Sequence, residues 1–498
     1  MKREDVLIQP VRTQRLAVLV RWHRALAWVA GVSVLIWGLS GVMHPIMSAL
    51  SPKVNPVPPA AALPATLTPV PLASLAQGRW ADNAHSVQSV RLLMLADQAA
   101  WRVQEASVAG QLPAARWFAA SSGAELLDAE TQQAQKLARA LVGDAQSEIR
   151  SMTRVTEFGR DYPSINKLLP VWRVEFARDD GMIAFVDTEG QRLAALSDQT
   201  KRTLMGVFVL LHTWAWASEP VKQVGISVML GLTLVTMLAG LVMYIIRWRA
   251  KTLRPNQPRM RRLHRQLGLI AGVAGICIAL SGLLHLWFSR TPPVVSPPAA
   301  LANLPQLHAI PAGLTGLTAV NVAEQTLWLV QGAAKPMHGG GEHAHHAAAA
   351  VKPNPLPTYL NHHGQAVAGA AELHAATLMQ AMGVGMALKK APIQSIELIS
   401  KFGGEYGFFQ KRLPVYRVNL ANSAQSSWYI EPATGQFSNL VELRDRLEGY
   451  SFAYLHKWHW LDGLGKTTRD IILASFAAAN VVLAVIGMLL WRRRRSKQ

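Results

Sequence analysis

HRALAWVAGVSVLIWGLSGVMH, residues 23–44, is a run of apolar side chains closed at each end by a histidine. The chain repeats it at 264–285 as HRQLGLIAGVAGICIALSGLLH, with ten of the 22 positions identical and both end histidines among them. As a helix, 21 steps of about 1.5 Å reach roughly 31 Å, the thickness of a bilayer's hydrocarbon core. Twenty-one rotations of about 100° bring the second histidine to within about 60° of the first. Each copy therefore reads as a transmembrane helix with an imidazole near each membrane face, both on broadly one side.

Four windows lack charge altogether, 25–50, 223–246, 266–289 and 471–491, so four spans are expected. A formal charge of +20 suggests nucleic acid until its location is considered. Residues 2–24 carry +4, 247–265 carry +8 and 492–498 carry +5, all beside span ends. Basic residues in those places mark the cytoplasmic side. Both termini and the 247–265 loop are therefore expected inside, with 51–220 and 290–468 outside, and nucleic acid is excluded as a partner. The first apolar run is too long for a cleaved signal peptide and its twin is internal, so it reads as a retained span. The only cysteine, Cys277, falls in mid-membrane. That excludes disulfides within the chain, C-x-x-C-H haem attachment and cysteine-ligated zinc or iron–sulfur sites.

The expected organisation is a multi-pass α-helical membrane protein, four transmembrane helices in two repeats, each repeat with an extracytoplasmic α+β domain. Its divisions are a cytoplasmic N-terminus and first span (1–50), a first α+β region (51–202), and an interfacial helix with the second span (203–250). A cytoplasmic loop and third span (251–290), a second α+β region (291–448) and an interfacial segment, fourth span and basic end (449–498) follow. Proline-rich stretches at 51–72 and after Trp287 read as extended exits from the membrane. In the first region strands are expected at Val87–Leu95, Trp101–Ser107, Arg116–Leu127, Ile149–Phe158, Pro170–Phe176 and Met182–Leu193, with a helix over 129–142. In the second, strands are expected at Leu317–Val322, Leu327–Val330, Thr358–Val367, Ile393–Lys401, Pro414–Leu420 and Ser427–Glu431, with a helix over 371–383. LPVWRV at 169–174 matches LPVYRV at 413–418, and LHTWAW at 211–216 matches LHKWHW at 455–460, both at an offset of 244. Residues 203–218 read as a helix lying in the outer interface, with Trp214 and Trp216 at headgroup level.

Six of the 16 histidines form three repeat-related pairs: His23/His264, His44/His285 and His212/His456. Ionisable residues within spans usually face the bundle interior and carry function. Zinc or copper would need three or four ligands gathered within a few ångströms, whereas paired neutral imidazoles from facing helices suit the two axial positions of a haem. Small residues near them (Ala30, Ser40 and Gly41, repeated as Ala271, Ser281 and Gly282) leave room for a flat macrocycle, and equally serve plain helix packing. Arg24 and Arg265, next to the inner histidines, are placed to pair with haem propionates or with lipid phosphates. A b-type haem is expected between His23 and His264, and the outer histidines offer ligands for one or two more, their pairing left open. Irons held at opposite ends of a roughly 31 Å helix are far apart for direct electron transfer. An unrepeated insertion, PMHGGGEHAHH at 336–346, carries His338, His343, His345 and His346 and, with His362 and His363, forms a His-rich patch that suits a divalent metal or a disordered loop.

The unit HR-x-L…AGV…L-S-G-x-x-H, an α+β region, then L-H-x-W and a span ending in basic residues, resembles the PepSY-associated transmembrane proteins. PVWRV…FVDTEGQ (170–191) and PVYRV…YIEPATGQ (414–436) are similar to the PepSY strand–turn motif. The resemblance implies an iron-regulated protein of the bacterial inner membrane. Some members of that family are di-haem reductases that free iron from siderophores by reducing it, and by motif match His23, His44, His212, His264, His285 and His456 inherit the candidate ligand role. The resulting expectation is a protein with two haem b groups that passes electrons from an unidentified donor, a quinol or a reductase, to a ferric chelate. A module that docks a peptidase or envelope partner, and a divalent-metal handler, are the rival readings; no acid–base triad or carboxylate pair is evident.

Overall fold

The computed structural model describes residues 3–107, 113–252, 257–289, 292–331, 354–383 and 391–495. Its helices are, in chain order, α1 (Arg3–Leu50), α2 (Ala129–Val142), α3 (Gln199–Phe208), α4 (Glu219–Arg249), α5 (Arg259–Phe288), α6 (Ala370–Ala381), α7 (Leu443–Ser451) and α8 (Lys466–Arg495). The chain divides into two compact units, one of 1–51, 200–290 and 444–498, the other of 52–199 and 291–443.

In the first unit four helices are long and apolar enough to cross a membrane: Leu16–Leu50 within α1, α4, α5 and Lys466–Arg493 within α8. They pack as a closed ring in which α1 touches α4 and α8, and α5 touches the same two. The two histidine-bearing helices, α1 and α5, thus lie diagonally. Small residues permit the close approaches: a side chain at Gly38 would lie 2.7 Å from Val481, and one at Gly275 would lie 2.9 Å from Asn480 and Met237. Buried Asn480 donates to the Ala271 carbonyl at 2.9 Å, a polar tie between α8 and α5.

The expected 203–218 helix is shorter than its apolar run. α3 ends at Phe208 and passes into one π turn, Val209–Thr213, which Trp214 stops with φ 51°. The same event recurs after α7, where the π turn Phe452–His456 is followed by Trp458 at φ 54°.

The second unit holds three antiparallel sheets. β4 (Ile149–Val155), β5 (Val171–Phe176), β6 (Ile183–Asp187) and β7 (Arg192–Ser197) run in sequence order, and so do β11 (Ile393–Ile399), β12 (Val415–Leu420), β13 (Ser427–Ile430) and β14 (Phe437–Val441). The inner strands β6 and β13 are buried at every position, while the edge strand β4 alternates between half-buried and exposed. α2 covers the first of these sheets with Ala134, Leu137, Ala138 and Leu141, and stops at Gly143, whose φ of 72° only glycine adopts freely.

The third sheet joins the two halves of the chain. β1 (Val87–Leu95), β2 (Gln98–Glu105) and β3 (Arg116–Ala119) continue through a β1–β8 pairing into β8 (Gly316–Val322), β9 (Gln325–Gln331) and β10 (Tyr359–Leu360), in the order β10-β9-β8-β1-β2-β3. Its core includes Trp80, Trp101, Phe118 and Trp328. β10 covers only two residues of the expected Thr358–Val367 strand. Beyond it the Asn361 side chain takes the backbone N–H groups of His363 and Gln365, so the chain turns instead of continuing the ladder. β3 likewise stops at Ala119 and meets its return only at a Phe118–Glu125 bridge.

A buried ionic cluster lies in the same unit. Arg192 pairs with Asp187 at 2.8 Å and with Glu431 at 2.6 Å, and Arg412 reaches Glu431 at 2.8 Å. Burial alone pushes the Glu431 and Asp187 carboxyls up. Arg192 first, joined by Arg412 and by the Gly190 N–H on Asp187, overrides that and holds both below the ordinary range.

Candidate functional site

His23 and His264 face each other across the diagonal of the helix ring, with ring centres 6.3 Å apart and planes at 62°. The spacing follows from the ring geometry, which brings α1 and α5 within reach only through their side chains. His23 Nδ1 lies 2.8 Å from the Thr236 carbonyl on α4, which fixes Nδ1 as the protonated nitrogen and leaves Nε2 with its lone pair. His264 lies against the main chain of Leu483 on α8, its Nδ1 buried and short of hydrogen-bond geometry. A glycine flanks each ring: Cβ atoms added at Gly240 and Gly487 would each lie 3.2 Å from the Cε1 of His23 and of His264 respectively. Both imidazoles are thus slotted against a helix groove and aimed by it. Arg24 is exposed and Arg265 half-buried beside them.

The four remaining span-associated histidines gather in the same unit at the other end of α1 and α5. His212 reaches back onto α1, where its Nδ1 lies 2.8 Å from Ser40 Oγ and its carbonyl accepts from Trp37 Nε1 at 3.0 Å. The corresponding turn in the second half is tied by Ser281 Oγ donating to the Ser451 carbonyl at 3.3 Å. Phe208 contacts both His44 (6.2 Å) and His212 (4.6 Å, nearly parallel), and Phe452 contacts both His285 (4.9 Å) and His456 (4.7 Å, nearly parallel). His212 and His456 are within electrostatic range of each other and of His285 and Lys457. His285 Nδ1 is held at 2.5 Å by Glu448, and Lys457 Nζ approaches His44 Nε2 at 3.4 Å. His456 lies against the main chain of Ile278, seven residues inward of His285, or roughly 10 Å along the helix. The outer set is therefore two-layered, with His212 and His456 deeper than His44 and His285.

Sequence reasoning found the six histidines but not what aims them. Phe208 and Phe452 carried a usable signal, since they sit four residues before the matched histidines His212 and His456 at the same offset of 244. Gly240 and Gly487 carried a weaker one, since GLVMY at 240–244 and GMLLW at 487–491 match at an offset of 247, whereas Thr236 and Leu483 act through backbone carbonyls and carried none. His338, His343, His345 and His346 lie outside the described residues. Among the described residues no three His, Cys, Asp or Glu side chains already converge as a metal site.

Four membrane-crossing helices, two of them bearing facing histidines, and separate β-sheets define a multi-pass membrane protein with α+β domains. The profile of the PepSY-associated TM region matches residues 20–388, and the chain belongs to that family. The match takes in five of the six span-associated histidines; His456 and α8 follow it. No curated protein matches the chain.

Proposed function

We propose that the chain is a haem-carrying electron-transfer protein of the bacterial inner membrane that reduces ferric chelates, siderophores among them, on the outer face. The observation that carries this is the His23–His264 spacing. Two imidazoles that held one iron through nitrogens about 2 Å from it would have ring centres no more than roughly 6.5 Å apart, and the 6.3 Å between His23 and His264 lies within that reach. Space at buried Gly272 on α5, about two turns from His264, supports it too: an added Cβ there would meet no atom within 4 Å beyond its own neighbouring backbone.

Bound haem b would supply one-electron chemistry between ferric and ferrous iron, its potential set by ligand identity, burial and hydrogen bonding. The chain's own residues do the rest. The Thr236 carbonyl holds the proton on Nδ1 of His23, and the flanking glycines fix the ring planes. The outer histidines would hold a second haem, their rings oriented by Ser40, Glu448 and the two phenylalanines. The spans exclude water from both. With haem bound, the chain would offer a route for electrons from an inner donor, a quinol or a reductase, toward a ferric chelate on the outer face, where reduction would loosen the hard oxygen ligands on the substrate iron. In this reading the halves are two repeats, the termini and the 247–265 loop are cytoplasmic, and the α3 segment lies in the outer interface.

A docking module is the second reading, favoured by the exposed Ile165 and Phe409 beside the Lys167–Gln410 contact. The two separate in one experiment: absorption spectra of the detergent-purified chain from haem-replete cells, before and after dithionite. A reduced b-type α band that is lost or weakened in His23→Ala and His264→Ala, together with loss of ferric-chelate reduction, is expected. A colourless preparation overturns the proposal.

A further inference from the structure

Three histidines far apart in sequence meet on the surface of the second unit. His308 has its ring centre 5.8 Å from that of His362 and 5.8 Å from that of His363, and the latter two are 4.0 Å apart. All three are exposed. We propose that His308, His362 and His363 form a site for a divalent late first-row transition ion, Cu²⁺ most tightly, independent of the membrane histidines and of the 336–346 insertion.

The backbone there is built for it. The His308 N–H donates to the His362 carbonyl at 2.9 Å, which locks the two segments side by side. The Asn361 side chain closes the turn that carries His362 and His363 by accepting from the N–H groups of His363 (2.9 Å) and Gln365 (3.0 Å). Gly364, at φ 77°, then lets the turn seat on the other segment: a Cβ there would lie 2.9 Å from the Ala309 carbonyl oxygen. Two of these features hold the chain segments together, and the Asn361 bonds fix the turn that presents His362 and His363.

With the ion about 2 Å from each nitrogen, ring centres lie roughly 3.2 Å from it, so two rings at 90–180° about one ion are roughly 4.5–6.4 Å apart. Two of the three separations already satisfy this and the third is half an ångström short. Convergence needs only rotation about exposed side-chain bonds, which cost little to turn. Three neutral imidazoles with a position left for water suit Cu²⁺, Zn²⁺ or Ni²⁺, and the usual order of affinities puts Cu²⁺ first. No carboxylate is needed, which disfavours Ca²⁺ and Mg²⁺.

The test uses the full chain in detergent with the insertion silenced (H338A/H343A/H345A/H346A), titrated with Cu²⁺ and read by electron paramagnetic resonance and calorimetry. One saturable Cu²⁺ per chain with nitrogen hyperfine structure is expected. His308→Ala should weaken it at least about tenfold and remove one nitrogen from the spectrum. Gly364→Val should weaken it as well, although every histidine remains. Absence of a saturable site in the silenced parent, or full affinity in His308→Ala with its circular dichroism unchanged, overturns the proposal.

Discussion

A methyl group added at Gly240 would sit 3.2 Å from Cε1 of His23, closer than most real Cβ contacts, and a branched side chain there would have to displace the ring. Gly231, on the same helix, has nothing within 4 Å of the equivalent position. Gly240→Val is therefore expected to lose most of the His23-dependent haem absorbance while Gly231→Val keeps it, both measured as reduced-band intensity per chain. A packing role for His23 alone predicts no difference between the two. At this scale the residue types were legible and their aim was not. A histidine at each end of an apolar run announces itself, but the carbonyl of Thr236 that fixes its tautomer belongs to another helix, and backbone carbonyls leave no mark in a sequence.

The π turns are the elements on which the outer cluster depends. Val209–Thr213 and Phe452–His456 each carry one more residue per turn than an α-helix, and each presents its histidine to the span beside it. Replacing His212 with alanine removes the imidazole that the π turn places 2.8 Å from Ser40. Haem per chain is then expected to fall while the band that requires His23 persists; an unchanged spectrum would show that His212 is not a ligand. The paired strand–turn motifs were readable from the repeated LPV-x-RV phrase. The π turns were not, because the extra residue in each turn is chosen by contacts such as Trp37 Nε1 to the His212 carbonyl rather than by local propensity.

Across the whole molecule, burial of ionic groups sets how the sheet region answers to acid. Glu431 is 3 % exposed and is gripped by Arg192, Arg412 and Thr434. Replacing it with alanine leaves two buried guanidinium groups short of a partner and should cost about 3–5 kcal/mol. Asp187 and Glu431 have folded-state pKa values held below their unfolded ones, so their contribution is present above about pH 4.5 and is lost as pH falls through the depressed values. Thermal unfolding followed by tryptophan fluorescence should therefore show the melting temperature dropping below pH 4.5. In Glu431→Ala that drop should be smaller, from a lower starting point. By itself the sequence determined the four spans, the basic residues at their ends, the six paired histidines and most of the strands, though not β7 or β14, because hydrophobic length, charge position and local periodicity are properties of short stretches. Only the tertiary structure decided that α1 and α5 lie diagonally with His23 and His264 6.3 Å apart, that β1 pairs with β8 to join the halves in one sheet, and that His308 meets His362 and His363. Each of these is a contact between segments far apart in the chain, chosen by the packing of whole faces against one another, and no short window contains that information.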